Sequence, residues 1–325
     1  MEKHLNKIEN HPMKKYLDKL ENYPIGICGT VLGLITVSNA WAINKVTFLK
    51  PISIVLAIIV ISLMVLRLAL FPKKIGAELK NPVVGSFYPT IDMSLFLIAS
   101  FFQKSSPKLA SALWLFAAIL HFSLIISYTF FRLKNRNFSE VIPSWFVVYV
   151  GLITGSLASK GMGYDKLAKF MVLFGTTAFL ILWPVMLYKI FTNKVDKDKI
   201  ATCAIIAAPG SLALAGVITM FKTANLYFVI FLGFASIFNV LIVYYFAFKL
   251  SIYKFKPNFA TFTFPLAISV LAIYKFSEFL AGKNLYTAST IIKFVGHFEI
   301  VVATTIILFI LLNFIKMFIT ALKEA

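Results

Sequence analysis

The chain has 325 residues, of which 60% are hydrophobic and only 14% are charged, and its mean hydropathy is +0.87. This composition excludes an ordinary soluble domain and is typical of a polytopic α-helical membrane protein, because repeated apolar runs of about 20 residues match the hydrocarbon core of a bilayer. The formal net charge of +19 is dispersed among the loops, so it favours contact with anionic lipid and gives no support to nucleic-acid binding.

Ten apolar stretches, each long enough to cross a bilayer, follow one another along the chain. Their connections are mostly short, so consecutive helices are expected to be antiparallel and to form five hairpins. Residues 1–22 are too charged for a signal peptide and are predicted to form a cytoplasmic tail, either an amphipathic surface helix or a partly ordered segment. Residues 23–318 are the ten-helix membrane domain, and 319–325 are a second cytoplasmic tail. The predicted spans are 23–43, 51–71, 83–103, 109–132, 141–161, 167–191, 200–221, 225–248, 258–281 and 289–318.

Lysine and arginine are distributed unevenly between the two sides of this domain. If both termini lie on one side, that side carries 21 of the 32 basic residues. The positive-inside rule then places both termini in the cytoplasm, with the protein in the plasma membrane. The lysine-rich, arginine-poor composition points to a bacterial source. Beyond their role in topology, the basic side chains of the opposite side would raise the local anion concentration at a pore mouth; they include Lys104, Lys108, Lys160, Lys166 and Lys283.

Every odd-numbered stretch carries a proline at its beginning or inside it. A proline inside a helix removes a backbone donor, so in lipid it needs neighbouring helices, polar side chains or a water-filled cavity around it. The odd-numbered helices are therefore predicted to form an inner set. These prolines are Pro24, Pro82, Pro89, Pro143, Pro209, Pro257 and Pro265.

Sequence motifs for catalysis, cofactors and metals are missing. The chain contains no GxxxxGK[ST], HExxH or GxSxG pattern and no cluster of cysteine and histidine, so neither an enzyme nor a cofactor or metal site is predicted. Cys28 and Cys203 lie in apolar spans, where thiols usually behave as small hydrophobic side chains.

Three ionisable residues lie well inside predicted spans. Asp92 belongs to the inner set, where it either faces a cavity as a proton or charge site or bonds to hydroxyls or backbone near the proline kink of its helix. His121 and Glu299 lie on even-numbered helices, for which a hydrogen bond between packed helices is the favoured interpretation. His297 and Glu299 are two residues apart and point to different sides of a helix, so they form a poor dyad.

The helices of the inner set carry small residues. These residues fit either close packing between helices or the wall of a narrow conduit. The first span carries Gly29 and Gly33, and the seventh carries Gly210 and Gly216. The ninth span contains the most distinctive local motif, TFTFPL at 261–266.

Six motifs in a fixed order together cover most of the chain. They are YPIGICGTVLGL in the first span, KNPVVGSFYPTIDM at the third, LASALWLFAAILHF in the fourth, IPSWFVVYVGLI in the fifth, AAPGSLALAG in the seventh and TFTFPLA in the ninth. With them the chain resembles the tellurite-resistance/dicarboxylate transporter (TDT) family, which includes bacterial TehA and the plant guard-cell slow anion channels. The resemblance implies five hairpins with quasi-fivefold symmetry, odd helices around a central pore, even helices outside them, and a homotrimer.

The same resemblance implies passive permeation of small anions such as chloride or nitrate, with a phenylalanine of the ninth helix plugging the pore. Phe264, immediately before Pro265, best matches the plug, and Phe262 is the fallback. Pro265 is expected to kink the helix and to fix the direction of the ring. The pore-lining candidates are small or hydroxylated positions, together with one aromatic, on the odd helices: Gly29, Gly33, Phe87, Thr90, Val150, Thr154, Ser211, Ala215, Thr261 and Ser269.

Three functions remain open from the sequence. A gated anion channel is the leading hypothesis. The alternative is a proton-coupled carrier for C4-dicarboxylates or tellurite-related oxyanions, since an acid such as Asp92 in an anion path would repel the ion unless it is protonated or paired. A nontransporting sensor or scaffold is the third, although the chain shows no recognisable interaction motif for it.

Overall fold

The computed structural model describes residues 19–135, 137–192, 194–195, 197–250 and 254–323. Most of the predicted N-terminal tail, residues 1–18, lies outside this part of the chain. The described residues form helices and connections, without a strand. The α-helices are α1 (Gly26–Ile43), α2 (Leu49–Leu70), α3 (Pro72–Lys80), α4 (Pro89–Phe102), α5 (Pro107–Asn135), α6 (Trp145–Tyr149), α7 (Ile153–Leu157), α8 (Asp165–Phe191), α9 (Ala207–Met220), α10 (Leu226–Leu250), α11 (Thr263–Ala281) and α12 (Tyr286–Lys323).

Nine helical segments in the described chain are long and apolar enough to cross a membrane. The segments of α4, α9 and α11 begin with 3-10 turns at Gly85–Phe87, Lys197–Ile206 and Pro257–Phe262. This confirms a polytopic, all-helical membrane protein.

The fifth predicted span departs from the expected single helix. It folds as α6 and α7, two five-residue helices separated by residues 150–152. A Cβ on Gly151 would come 2.2 Å from the backbone oxygen of Val147 and 2.8 Å from Sδ of Met93 on α4, so the backbone at this break suits glycine. The prediction of one continuous helix over 141–161 is therefore wrong. Whether α6 and α7 complete a tenth crossing stays a prediction.

Burial divides the membrane helices into two sets. The apolar segments that contain α1, α4, α9 and α11 are 67% to 89% buried, whereas those of α2, α5, α8, α10 and α12 are 33% to 44% buried. Residues 150–156, which connect α6 to α7 and run into α7, are also buried. The less buried helices expose large apolar side chains such as Ile126 and Phe294, as lipid contact requires. The inner set predicted from the odd-numbered spans is thus confirmed by burial.

The inner elements contact one another in a closed order. α1 packs on α4, α4 on α6 and α7, α7 on α9, α9 on α11, and α11 back on α1. Each outer helix lies against two consecutive members of this ring: α2 against α1 and α4, α5 against α4 and α6, α8 against α7 and α9, α10 against α9 and α11, and α12 against α11 and α1. The described helices therefore form a five-membered inner ring with an outer layer, while exact fivefold symmetry stays a prediction.

The prolines of the inner set lie where helices begin. Pro89 is the first residue of α4, and Pro209 and Pro265 are the third residues of α9 and α11. In the first turn the backbone N–H has no partner inside the helix, so proline costs little there. The kink expected at Pro265 stays a prediction, because the 3-10 turn over Pro257–Phe262 runs directly into α11. Proline is also not confined to the inner set, because Pro184 lies inside the outer helix α8.

Candidate functional site

A cavity of about 20 Å³ lies inside the ring, between the beginnings of the inner helices. All five inner elements border it, for example through Gly29, Thr90, Phe146, Leu212 and Pro265. A space of this size holds about one water molecule, so a hydrated anion does not fit. We call it the proximal cavity; its other lining residues are Phe87, Met93, Val147, Gly151, Ile205, Ala208, Ala260, Thr261 and Phe264.

A second cavity, of about 190 Å³, lies between the later parts of the inner helices. Because one cavity is bordered by the beginnings of these helices and the other by their later turns, the inner helices run in the same direction across the ring. We call the second one the distal cavity. Its lining residues are Thr36, Asn39, Leu97, Ser100, Thr154, Leu157, Ala158, Phe264, Ile268, Leu271 and Lys275.

Phe264 borders both cavities and is 7% exposed. Two residues close to it in sequence form hydrogen bonds with other inner elements. Thr263 Oγ1 donates to the carbonyl of Gly29 at 3.0 Å, and Thr261 Oγ1 donates to the carbonyl of Ala201 at 2.7 Å. The backbone at Phe264 is thus held in place, while its apolar ring separates a space for one water from a much larger one.

The fallback position, Phe262, has different surroundings. Its ring packs edge-on against Phe259, with centroids 6.3 Å apart and planes at 74°. It is 4% exposed and borders neither cavity. Phe264 is therefore better placed than Phe262 to obstruct a path through the ring.

The pore-lining candidates divide into two groups. Bordering the proximal cavity are Gly29, Phe87, Thr90 and Thr261, and bordering the distal cavity is Thr154. Outside both cavities lie Gly33, Val150, Ser211, Ala215 and Ser269.

Two of the excluded candidates face the outer helices. Ser211 Oγ lies 2.7 Å from Ser236 Oγ on α10, and Ser269 Oγ donates to Glu299 on α12. Glu299 is thus a packing contact, and His297 has a separate partner, the hydroxyl of Tyr274 at 3.1 Å.

Asp92 also faces outward from the ring. Its Oδ1 contacts Nδ1 of His121 on α5, and both side chains are fully buried. The other nitrogen of His121 lies 3.0 Å from the carbonyl oxygen of Val148 on α6. Asp92 borders neither cavity, and its Oδ2 has no hydrogen-bond partner in the described chain. The structure therefore assigns Asp92 to the packing between α4 and α5.

Several cavity residues escaped the sequence analysis. Met93 and Phe146 lie inside the quoted motifs of the third and fifth spans, but nothing in their chemistry separates them from packed neighbours. Lys275 carried a clearer signal, because a lysine within an apolar inner span is costly to place in a membrane.

Comparison with known proteins places these features in context. The family model described as voltage-dependent anion channel (SLAC1) matches residues 22–315. An uncharacterized transporter of Methanocaldococcus jannaschii is 26% identical over 284 residues, which are 76% of this chain and 83% of that protein. A second uncharacterized transporter of the same organism is 26% identical over 245 residues, covering 66% of this chain and 70% of its own length.

Proposed function

The chain belongs to the voltage-dependent anion channel family, and from this premise we propose that it is a gated, passive channel for small monovalent anions such as chloride or nitrate. Membership of the family makes it a multi-pass membrane protein that is a channel or transporter for anions. Passive permeation, the choice of chloride or nitrate and the presence of a gate go beyond family membership, and they are what we propose.

The main support for the proposal is the position of Phe264. Its ring lies between the proximal and distal cavities, inside a ring of helices whose cavity walls are mainly small, apolar and hydroxyl-bearing residues. Such a wall binds anions weakly, which favours rapid passage over tight capture. An aromatic ring across a narrow conduit blocks it sterically and keeps it dry.

Opening requires only that the ring moves. Changing a side-chain rotamer costs on the order of 1 kcal/mol, and the hydrogen bonds of Thr261 and Thr263 hold the backbone while the ring turns. Removal of the ring should therefore open the path without disturbing the fold.

Phe264→Ala is expected to raise the chloride current about tenfold or more, since removing an obstacle worth about 1.4 kcal/mol corresponds to a factor of ten. The measurement is voltage clamp of planar bilayers containing the purified protein. Phe262→Ala is the matched control, because it removes an identical ring that borders neither cavity, and its current should stay at the parent level. Equal, low currents from the parent and a correctly inserted Phe264→Ala variant would refute the gate.

The carrier alternative has less support from the site. A proton-coupled carrier needs a titrating group on the substrate path. Asp92, the candidate for that role, contacts His121 away from both cavities. We therefore retain the channel as the proposed function.

A further inference from the structure

The distal cavity has polar features that a purely apolar conduit would not need. Its volume of about 190 Å³ far exceeds the 20 Å³ of the proximal cavity and is enough for a small anion with part of its hydration shell. Ser100 is exposed and Asn39 is half-buried, and both lie in later turns of their helices, away from Phe264 at the beginning of α11.

Lys275 on α11 is the one charged residue among the lining residues of the distal cavity in the described chain. It is half-buried, and no hydrogen bond or ion pair of its ammonium group is present among the described residues. Glu278, which is exposed one turn further along α11, is the acidic side chain that acts electrostatically on the ammonium group of Lys275. A partly buried ammonium without a close partner is costly, and an anion in the cavity would offset that cost.

The other buried cations of the molecule differ from Lys275. Arg67 pairs with Glu78, Arg132 pairs with Glu140, and Lys189 donates to two backbone carbonyls. Those cations are held by the protein itself. Lys275 instead borders an open cavity that leads to the proposed gate.

Thr154 supplies a second, independent observation. Its side chain is 2% exposed, it borders the distal cavity, and its Oγ1 has no hydrogen-bond partner within the described part of the protein. Buried hydroxyls nearly always have a partner, and a group held in the cavity would supply one for Thr154. A hydroxyl can donate to an anion, and the amide of Asn39 and the hydroxyl of Ser100 can do the same from the cavity wall.

We propose that the distal cavity is a capture site for a small monovalent anion, in which Lys275 supplies the charge and Thr154, Asn39 and Ser100 donate hydrogen bonds. The inference rests on the proposed channel function, because it places the captured anion next to Phe264. A single ammonium, partly offset by Glu278, holds an anion loosely enough for it to move on when the gate opens.

The first test measures conductance in the Phe264→Ala background as a function of chloride concentration on the distal side. Lys275→Gln is expected to lower the conductance at low chloride roughly threefold or more and to raise the half-saturating chloride concentration, because the local anion concentration falls. Lys275→Arg keeps the charge and should keep the low-chloride conductance. The matched control is Lys73→Gln, which removes the same charge from an exposed position on α3, on the opposite side of the predicted topology and outside the cavity lining.

The second test is independent of conduction. Crystals of the parent protein grown in bromide should show an anomalous peak in the distal cavity beside Nζ of Lys275, and crystals of Lys275→Gln should lack it. If Lys275→Gln conducts like Lys73→Gln and the parent shows no peak, the capture site is refuted while current from Phe264→Ala still supports the channel. If Phe264→Ala stays silent but the bromide peak is present, the capture site stands and the channel proposal fails.

Discussion

At the scale of single residues, Asp92 and His121 show how a buried charge is accommodated away from the cavities. The two side chains contact each other, and the second nitrogen of His121 lies beside the carbonyl of Val148. One proton shared between the carboxyl and the imidazole leaves the pair without net charge, and the carbonyl of Val148 accepts from the second nitrogen. The carboxylate consequently exerts little repulsion on an anion inside the ring.

Removal of one partner should mainly destabilise the protein. Asp92→Ala is expected to lower the free energy of unfolding by about 3 kcal/mol, because it leaves His121 buried without its partner. Unfolding by SDS titration in mixed micelles measures this loss, and Asp92→Asn, which retains an acceptor oxygen, should lose less.

Transport by the same variant separates packing from proton coupling. In the Phe264→Ala background, Asp92→Asn should leave the reversal potential in asymmetric chloride unchanged at two pH values. A reversal potential that shifts with pH, and ceases to shift in Asp92→Asn, would instead support the carrier.

At the scale of helices, each of the five inner elements has a buried polar contact with the outer helix that follows it. A satisfied polar pair between helices stabilises packing in lipid, where the hydrophobic effect contributes little. Serines of the inner helices therefore turn toward the outer layer, which explains why Ser211 and Ser269 lie outside the cavities. The contacts are Ser38 with Ser53, Asp92 with His121, Ser156 with the carbonyl of Ala168, Ser211 with Ser236, and Ser269 with Glu299.

Three outer helices also carry a buried cation near their C-terminal ends. Arg67 of α2 donates to the carbonyl of Glu21 at 2.8 Å, Arg132 of α5 donates to the carbonyl of Lys80, and Lys189 of α8 donates to the carbonyl of Val141 at 2.6 Å. Each acceptor lies in the segment that leads into an inner helical element. Arg67, Arg132 and Lys189 count as loop residues under the positive-inside rule. In the structure their hydrogen bonds hold the beginnings of the inner helices in place.

Close contact between α1 and α11 should control the segment that carries Phe264. A Cβ on Gly33 would come 2.8 Å from the carbonyl carbon of Thr263 and 2.9 Å from the backbone nitrogen of Phe264. Gly33→Ala is expected to cost about 1–3 kcal/mol of stability, as overpacking does. Thermal unfolding in detergent measures it. Gly29→Ala on the same helix meets only atoms at 3.7 Å or beyond, so an equal loss from both variants would contradict the packing argument.

At the scale of the whole molecule, the ring of inner helices and the outer layer create two ends with different roles. The buried cations and the proximal cavity lie toward the end where the inner helices begin, and Lys275 lies toward the other. If the positive-inside rule holds, the proximal end is cytoplasmic. A homotrimer stays a prediction from the family resemblance.

Cysteine labelling tests this orientation. Lys73→Cys and Lys160→Cys place thiols at exposed positions on opposite sides of the predicted topology. In intact cells a membrane-impermeant maleimide should label Lys160→Cys and not Lys73→Cys. The two native cysteines give little background because Cys28 is 0% and Cys203 is 1% exposed. The reverse labelling pattern would place the termini outside.

The sequence by itself determined the membrane class, the inner set of helices and the family, because each depends on local hydropathy or on motifs of adjacent residues. The same local patterns led to an error in the fifth span, where the helix breaks at residues 150–152 and a Cβ on Gly151 would meet both the backbone oxygen of Val147 and Met93 of another helix.

Only the tertiary structure decided which way each side chain faces. The inner helices are apolar on all sides, so their sequence periodicity does not indicate which face looks into the ring. Neighbouring helices set that rotation about the helix axis: they turn Asp92 toward His121, place Phe264 between the two cavities and bring Lys275 to the wall of the distal one.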